Sequence, residues 1–169
     1  MKKILLGMLA LSSLVFAGNE GAVEGKIDVT AKVVKPLQMN VIQHVDFGLL
    51  TPGQENKYSE KLGRFEITGT PGEKISVFIK TDVSNEFTQL GTTEAIHQVT
   101  MKTGEGTEAN EKMVARLGVA AEGGENLKEN LVLSTSGKKE FSIGGWTSAA
   151  ANQKEGSYKG EMTIKALYE

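Results

Sequence analysis

The sequence predicts an all-β chain folded as an antiparallel β-sandwich, and three observations lead there. Apolar and polar residues alternate at a period of two in short runs, at Ile27/Val29/Ala31/Val33, Ile75/Val77/Ile79 and Met162/Ile164/Ala166/Tyr168. That is the pattern of a strand with one face in a core. The 20 glycines, set against 3 prolines, are spread between these runs, which suits many tight turns better than a disordered tract. No heptads, repeats or amphipathic helices of useful length break the pattern, and many short strands separated by turn residues indicate a sandwich.

The chain opens on Met1, Lys2 and Lys3, an apolar run follows, and the small Ala17 ends it. This is the layout of a signal peptide over residues 1–17. The run falls short of the roughly 20 residues of a spanning helix, so export through the Sec pathway is expected rather than a membrane anchor. Residues 18–169 then amount to one domain. With 19 basic against 21 acidic residues, two of the lysines in the leader, the exported chain is mildly acidic, and no nucleic-acid partner is expected. It contains no cysteine. Disulfide staples, thiol nucleophiles, thiolate ligands and lipoprotein acylation are all excluded.

Residues 26–33 alternate from the start of the mature chain, and Ile27, Val29, Ala31 and Val33 share one face of an extended strand. Such a strand needs a neighbouring edge and a core. Lys35-Pro36 makes a break. A second run covers Leu37 to Val41, and Phe47 and Leu49 are expected as core anchors with Gly48 bending the chain between them. Residues 54–61 read as a polar surface link. Residues 63–68, with Phe65 and Ile67 inward, and residues 75–79 read as the two arms of a hairpin across the turn Thr70-Pro71-Gly72-Glu73. Short strands follow at 87–90 and 96–101, and the polar stretch 103–112 reads as a solvated, mobile loop. Residues 114–120, 131–133 and 141–143 are taken as strands, residues 148–151 allow one helical turn, and the alternation at 162–168 closes the chain.

Few residues suggest chemistry. Asp46-Phe47-Gly48 has no glycine-rich nucleotide loop, strand lysine or catalytic loop beside it, so a turn over a buried phenylalanine is expected instead of a magnesium motif. His44 stands two residues from Asp46, and His97 is the other histidine; surface roles are expected of both. Glu105, Glu108 and Glu111 lack the calcium-loop pattern. Trp146, the single tryptophan, follows Gly144-Gly145, and packing at the core or rim is weighed against a glycan-stacking platform. There is no serine-hydrolase elbow and nothing selects a pair of acids for glycoside hydrolysis. No enzyme, metal or cofactor is expected.

Three segments together carry a family resemblance: Pro36-Leu37 through Val45-Asp46-Phe47-Gly48 with Pro52-Gly53, the strand pair of 63–79, and Gly156-Ser157-Tyr158-Lys159-Gly160 before the last strand. They resemble the DUF4402-type family of exported bacterial proteins. The chain is also similar to fimbrial major subunits of the Mat/ECP common-pilus and alpha-fimbrial (CFA/I-like) kinds, and residues 23–33 resemble the donor strand of the alpha-fimbrial pilins. The likeness covers both ends and little of the middle. It implies an immunoglobulin-like sandwich over 36–169 that lacks one strand, preceded by a donor-strand extension over 18–35. It also implies an adhesive surface fimbria built by donor-strand exchange. Ile27, Val29, Ala31 and Val33 would plug the next subunit, with a periplasmic chaperone and an outer-membrane usher as assembly partners and a host receptor as a target. The absent disulfide departs from type 1 pilins. Without the resemblance, the opening strand is expected to pair within its own fold, as most strands do, and the chain is then a monomeric secreted or surface module binding a host or carbohydrate ligand through its loops.

Overall fold

The structure, a computed structural model, describes residues 24–91, 96–123, 127 and 131–169. The signal peptide expected over 1–17 lies outside them. The chain divides into two units between Val33 and Val34. In the first, residues 24–33 adopt no regular strand and are exposed throughout.

The second unit is an antiparallel sandwich. In chain order its strands are β1 (Gln38–Gln43), β2 (Lys57–Tyr58), β3 (Gly63–Thr68), β4 (Lys74–Thr81), β5 (Thr88–Gln89), β6 (Ile96–Lys102), β7 (Lys112–Ala121), β8 (Leu131–Val132), β9 (Lys138–Thr147) and β10 (Met162–Tyr168). One sheet runs β1-β3-β9-β7-β6, with β2 also beside β9. The other has β4 paired with β10 on one side and with the short β5 and β8 as well. The order β1-β3-β9-β7 facing β10-β4 follows strands A-B-E-D and F-C of the immunoglobulin sandwich.

Alternation places the core. Phe65 and Ile67 on β3, Ile75, Val77 and Ile79 on β4, and Phe141 and Ile143 on β9 all point inward and are buried. Phe65 and Phe141 stand opposite each other in the β3–β9 ladder, their rings stacked 4.7 Å apart and 6° from parallel. Offset stacking of two buried rings adds to the area they remove from water.

Three expectations are corrected. The runs 63–68 and 75–79 are strands, yet they do not form a hairpin: β3 pairs with β1 and β9, whereas β4 pairs with β10, β5 and β8. The turn between them carries the chain from one sheet to the other. The turn closes on itself from Glu73 N–H to Thr70 O at 3.3 Å, and a neighbouring loop holds its flank, Gly69 N–H donating to Gly137 O at 2.8 Å and Gly72 N–H to Leu133 O at 3.0 Å. Leu49 is exposed, not a core anchor. Gly48, at φ +67°, turns the chain, its N–H donates to Asp46 Oδ1 at 2.9 Å, and Phe47 alone of the pair is buried. Finally, the polar stretch 103–112 is a built loop. It contains a 3-10 turn over Ala109–Glu111, and Glu111 is buried.

Phe65→Ala opens a cavity beside Phe141 and should cost about 3–5 kcal/mol, while Leu49→Ala should stay within about 0.5 kcal/mol. Urea unfolding of the two variants checks this; equal losses would contradict the placement of both residues.

Candidate functional site

The four residues singled out near the N-terminus are Ile27, Val29, Ala31 and Val33. All are exposed, and the three large ones show between 89% and 97% of their surface to solvent. An alternating apolar segment held in water has no stabilising environment of its own.

Within the sandwich, one flank leaves core-side residues uncovered. Met39 and Val41 on β1 stand opposite Ile67 and Phe65 and therefore point to the core side. They are nevertheless 37% and 54% exposed. On β10, Met162, Ile164, Ala166 and Tyr168 lie opposite Thr81, Ile79, Val77 and Ile75. These four pack against the core but are only half-buried, whereas their partners on β4 are buried. Among the described residues β1 pairs with β3 alone and β10 with β4 alone. Each strand thus offers a free row of backbone donors and acceptors beside apolar side chains.

At one end the two strands are tied. Tyr168 Oη donates to Lys35 O at 2.6 Å and accepts from Thr70 N–H at 2.8 Å. Lys35 N–H in turn donates to Thr70 Oγ1 at 2.7 Å. The arrangement leaves no room at Gly69, where a Cβ would strike the Tyr168 hydroxyl and lie 2.8 Å from Leu37 Cδ2.

At the other end of β10 the Gly156-to-Gly160 motif forms a corner. Tyr158 Oη lies 2.8 Å from both Lys154 O and Asn110 O. A tyrosine just before strand F whose hydroxyl returns to backbone a few residues upstream is the tyrosine corner of immunoglobulin-like sandwiches. Gln153 Nε2 donates to Asn110 O and Lys112 O at 2.6 and 3.1 Å. The Lys154 ammonium meets Glu111 Oε1 at 2.5 Å, while Glu111 Oε2 accepts from Thr107 N–H at 3.0 Å. The hydrogen bond from Lys154, followed by the backbone N–H groups of Glu108 and Thr107, holds the Glu111 carboxyl down to about 2 against the opposing effect of burial. The solvated acidic loop expected from the sequence is an ion-paired latch at this residue.

The other candidates do not converge. His44 is exposed and His97 half-buried; burial keeps the His97 imidazole below its usual value, and it lines a depression of about 330 Å³ with Thr81 and Ser84. Among the described residues no group of three His, Cys, Asp or Glu side chains is arranged to hold a metal ion. Trp146 is half-buried on the outer side of β9, tilted 47° to Tyr58 at 6.3 Å.

Residues 56–168, which take in every strand from β2 to β10, match the family model described as a domain of unknown function, DUF4402. The chain belongs to the DUF4402 family. No curated protein matches it. The DUF4402 match contains the corner, the latch and β10, and begins after β1 and the alternating N-terminal segment. Sequence reasoning missed the latch because Glu111 differs from its exposed neighbours only in what the fold sets against it. The Gly-x-Tyr-x-Gly spacing was the one visible signal for the corner.

Because the folded Glu111 value lies below the ordinary 4.5, its latch contributes stability above about pH 4.5 and loses it as pH falls toward 2. Glu111→Gln should therefore flatten the acid slope of the urea midpoint between those values and leave the slope above pH 5 unchanged. Midpoints measured at half-unit steps test this, and an unaltered acid slope would remove the latch from the account.

Proposed function

We propose that this DUF4402 protein is the structural subunit of an adhesive surface fibre and polymerises by strand donation, residues 27–33 of one copy entering the β1/β10 flank of the next. The observation that carries this reading is the pair of edge strands, one from each sheet, with core-side residues exposed on β1 and only half-buried on β10. An extended segment added there gains main-chain hydrogen bonds from an open edge, and its alternate side chains enter the core. Ile27, Val29, Ala31 and Val33 supply that alternation, and they are exposed in this chain. Burying them would contribute on the order of several kcal/mol before ordering costs. The immunoglobulin-like strand order supports the same reading, since the described strands fill positions A to F, and position G lies beside F in that sandwich.

On this reading the chain is exported behind a leader at residues 1–17. A periplasmic chaperone shields the flank in transit, and an outer-membrane usher exchanges the chaperone for the next subunit. The fibre stands on the cell surface, and the reading assigns no catalytic step to it.

Protein sheared from producing cells should run as a ladder at multiples of the mature mass without boiling, and as a single band after boiling. Val29→Asp, which would bury an unpaired charge, should lower the ladder at least tenfold. A copy of residues 23–34 fused after Glu169 should give a stable monomer instead. A single band in both lanes from the unmodified chain would overturn the reading.

A further inference from the structure

The outer face of the six-stranded sheet carries a row of side chains that the fibre reading does not use. Tyr58 on β2 stands opposite Trp146 on β9, Trp146 opposite Arg116 on β7, and Arg116 opposite Gln98 on β6. Residues directly opposite across a ladder share a face. The buried Thr147 and Ile143 of β9 point inward, so Trp146 and its row point outward. Tyr58 is 68% exposed, its ring centroid 6.3 Å from that of Trp146 and inclined by 47°. Next along the sheet, Gly144 stands opposite Gly118, and the Leu62 side chain lies over Gly144, where a Cβ would strike its Cδ2. The row spans β2, β9, β7 and β6, three strand spacings or about 14 Å.

The charge on this row is unbalanced. No ion pair or hydrogen bond engages the Arg116 guanidinium among the described residues, although Arg116 is half-buried. The acids of the same sheet are occupied elsewhere. Glu60 meets Lys57 at 2.6 Å, Glu140 meets Arg64 at 3.2 Å and Glu66 meets Lys138 at 2.9 Å. Glu140 is also six residues along β9 from Trp146, about 20 Å away.

We propose that the Tyr58–Trp146–Arg116–Gln98 row is a binding site for a carbohydrate bearing a carboxylated pyranose. The aromatic faces carry negative quadrupole charge and receive the weakly positive C–H face of a sugar ring. The guanidinium offers a planar fork matched to a carboxylate, and the Gln98 amide supplies a donor and an acceptor for hydroxyls. A row of about 14 Å with rings at one end and a cation toward the other fits two or three linked sugars. A sialic acid at the end of a host glycan and a uronic acid within a polysaccharide share this chemistry. The row lies away from the β1/β10 flank, so the inference does not rest on fibre assembly.

Trp146 is the single tryptophan, so its fluorescence reports on the row directly. The full mature chain, as released from cells, is titrated with α2,3-sialyllactose, with trigalacturonate and with lactose. The site requires a saturable blue shift with at least one acidic sugar and at least tenfold weaker binding of lactose. A response to sialyllactose alone assigns the terminal sialic acid, and a response to trigalacturonate alone assigns the uronate. Arg116→Gln should weaken the acidic sugar at least tenfold. Tyr58→Ala, at an exposed position where folding is not at stake, should also weaken it, by about threefold or more. Absence of a shift with both acidic sugars up to millimolar concentration, equal affinity for lactose, or binding that both variants leave intact would overturn the proposal. A shift that follows protein concentration without sugar would also overturn it, by making the row a contact between copies.

Discussion

Everything in this sandwich depends on apolar side chains from two sheets meeting between them, because no cysteine is present to bind the sheets covalently. The stacked rings of Phe65 and Phe141 sit in that layer, with Ile75, Val77 and Ile79 of the second sheet in the same core. Burial of this kind has no direction and scales with the area removed from water. A flank where core-side residues stay exposed is therefore a local weakness and, equally, a place where added apolar surface is rewarded. The exposed core-side residues of β1 and the half-buried ones of β10 mark where that happens.

The polar groups do a different task. The latch of Glu111 and Lys154, the Gln153 amide and the Tyr158 hydroxyl join the loop before β10 to the turn before β7. Each bond is directional, so together they fix where the chain re-enters the small sheet after its long crossing from β9. Buried polar groups that are fully satisfied specify an arrangement more than they stabilise it. Here no buried side-chain nitrogen or oxygen among the described residues is left without a partner. The corner can therefore hold β10 in register although, among the described residues, β10 pairs with β4 alone.

Much of this was legible in the sequence, and the failures have physical causes. Period-two alternation located β1, β3, β4 and β10 and the inward sides of Phe65, Ile67 and Ile79, because half-burial imposes that pattern locally; β7 was placed by its glycines. Pairing was not legible. The turn at 70–73 reads the same whether its arms fold on each other or part into two sheets, and the choice is made by Gly137 and Leu133 more than sixty residues away. Leu49 misled for a related reason: alternation names two faces but not which one the fold covers. The candidate site was legible as a segment, Ile27 to Val33, and not as a surface. The exposure of Met39 and Val41 depends on what stands beside β1, and Trp146 acquires its row only when β2, β7 and β6 are laid beside β9.

The tie at Tyr168 has a consequence for anything that enters the flank. One hydroxyl joined to Lys35 O and Thr70 N–H ties the chain together at the end where β10 finishes and β1 begins. On the strand-donation reading such a tie is a stop: an incoming strand would advance until it met the tie, which would set its alignment. Since a slip of one residue would turn every apolar side chain outward, alignment is what separates a seated strand from a misplaced one. A single phenol at the edge of the small sheet would then decide the phase of the whole pairing.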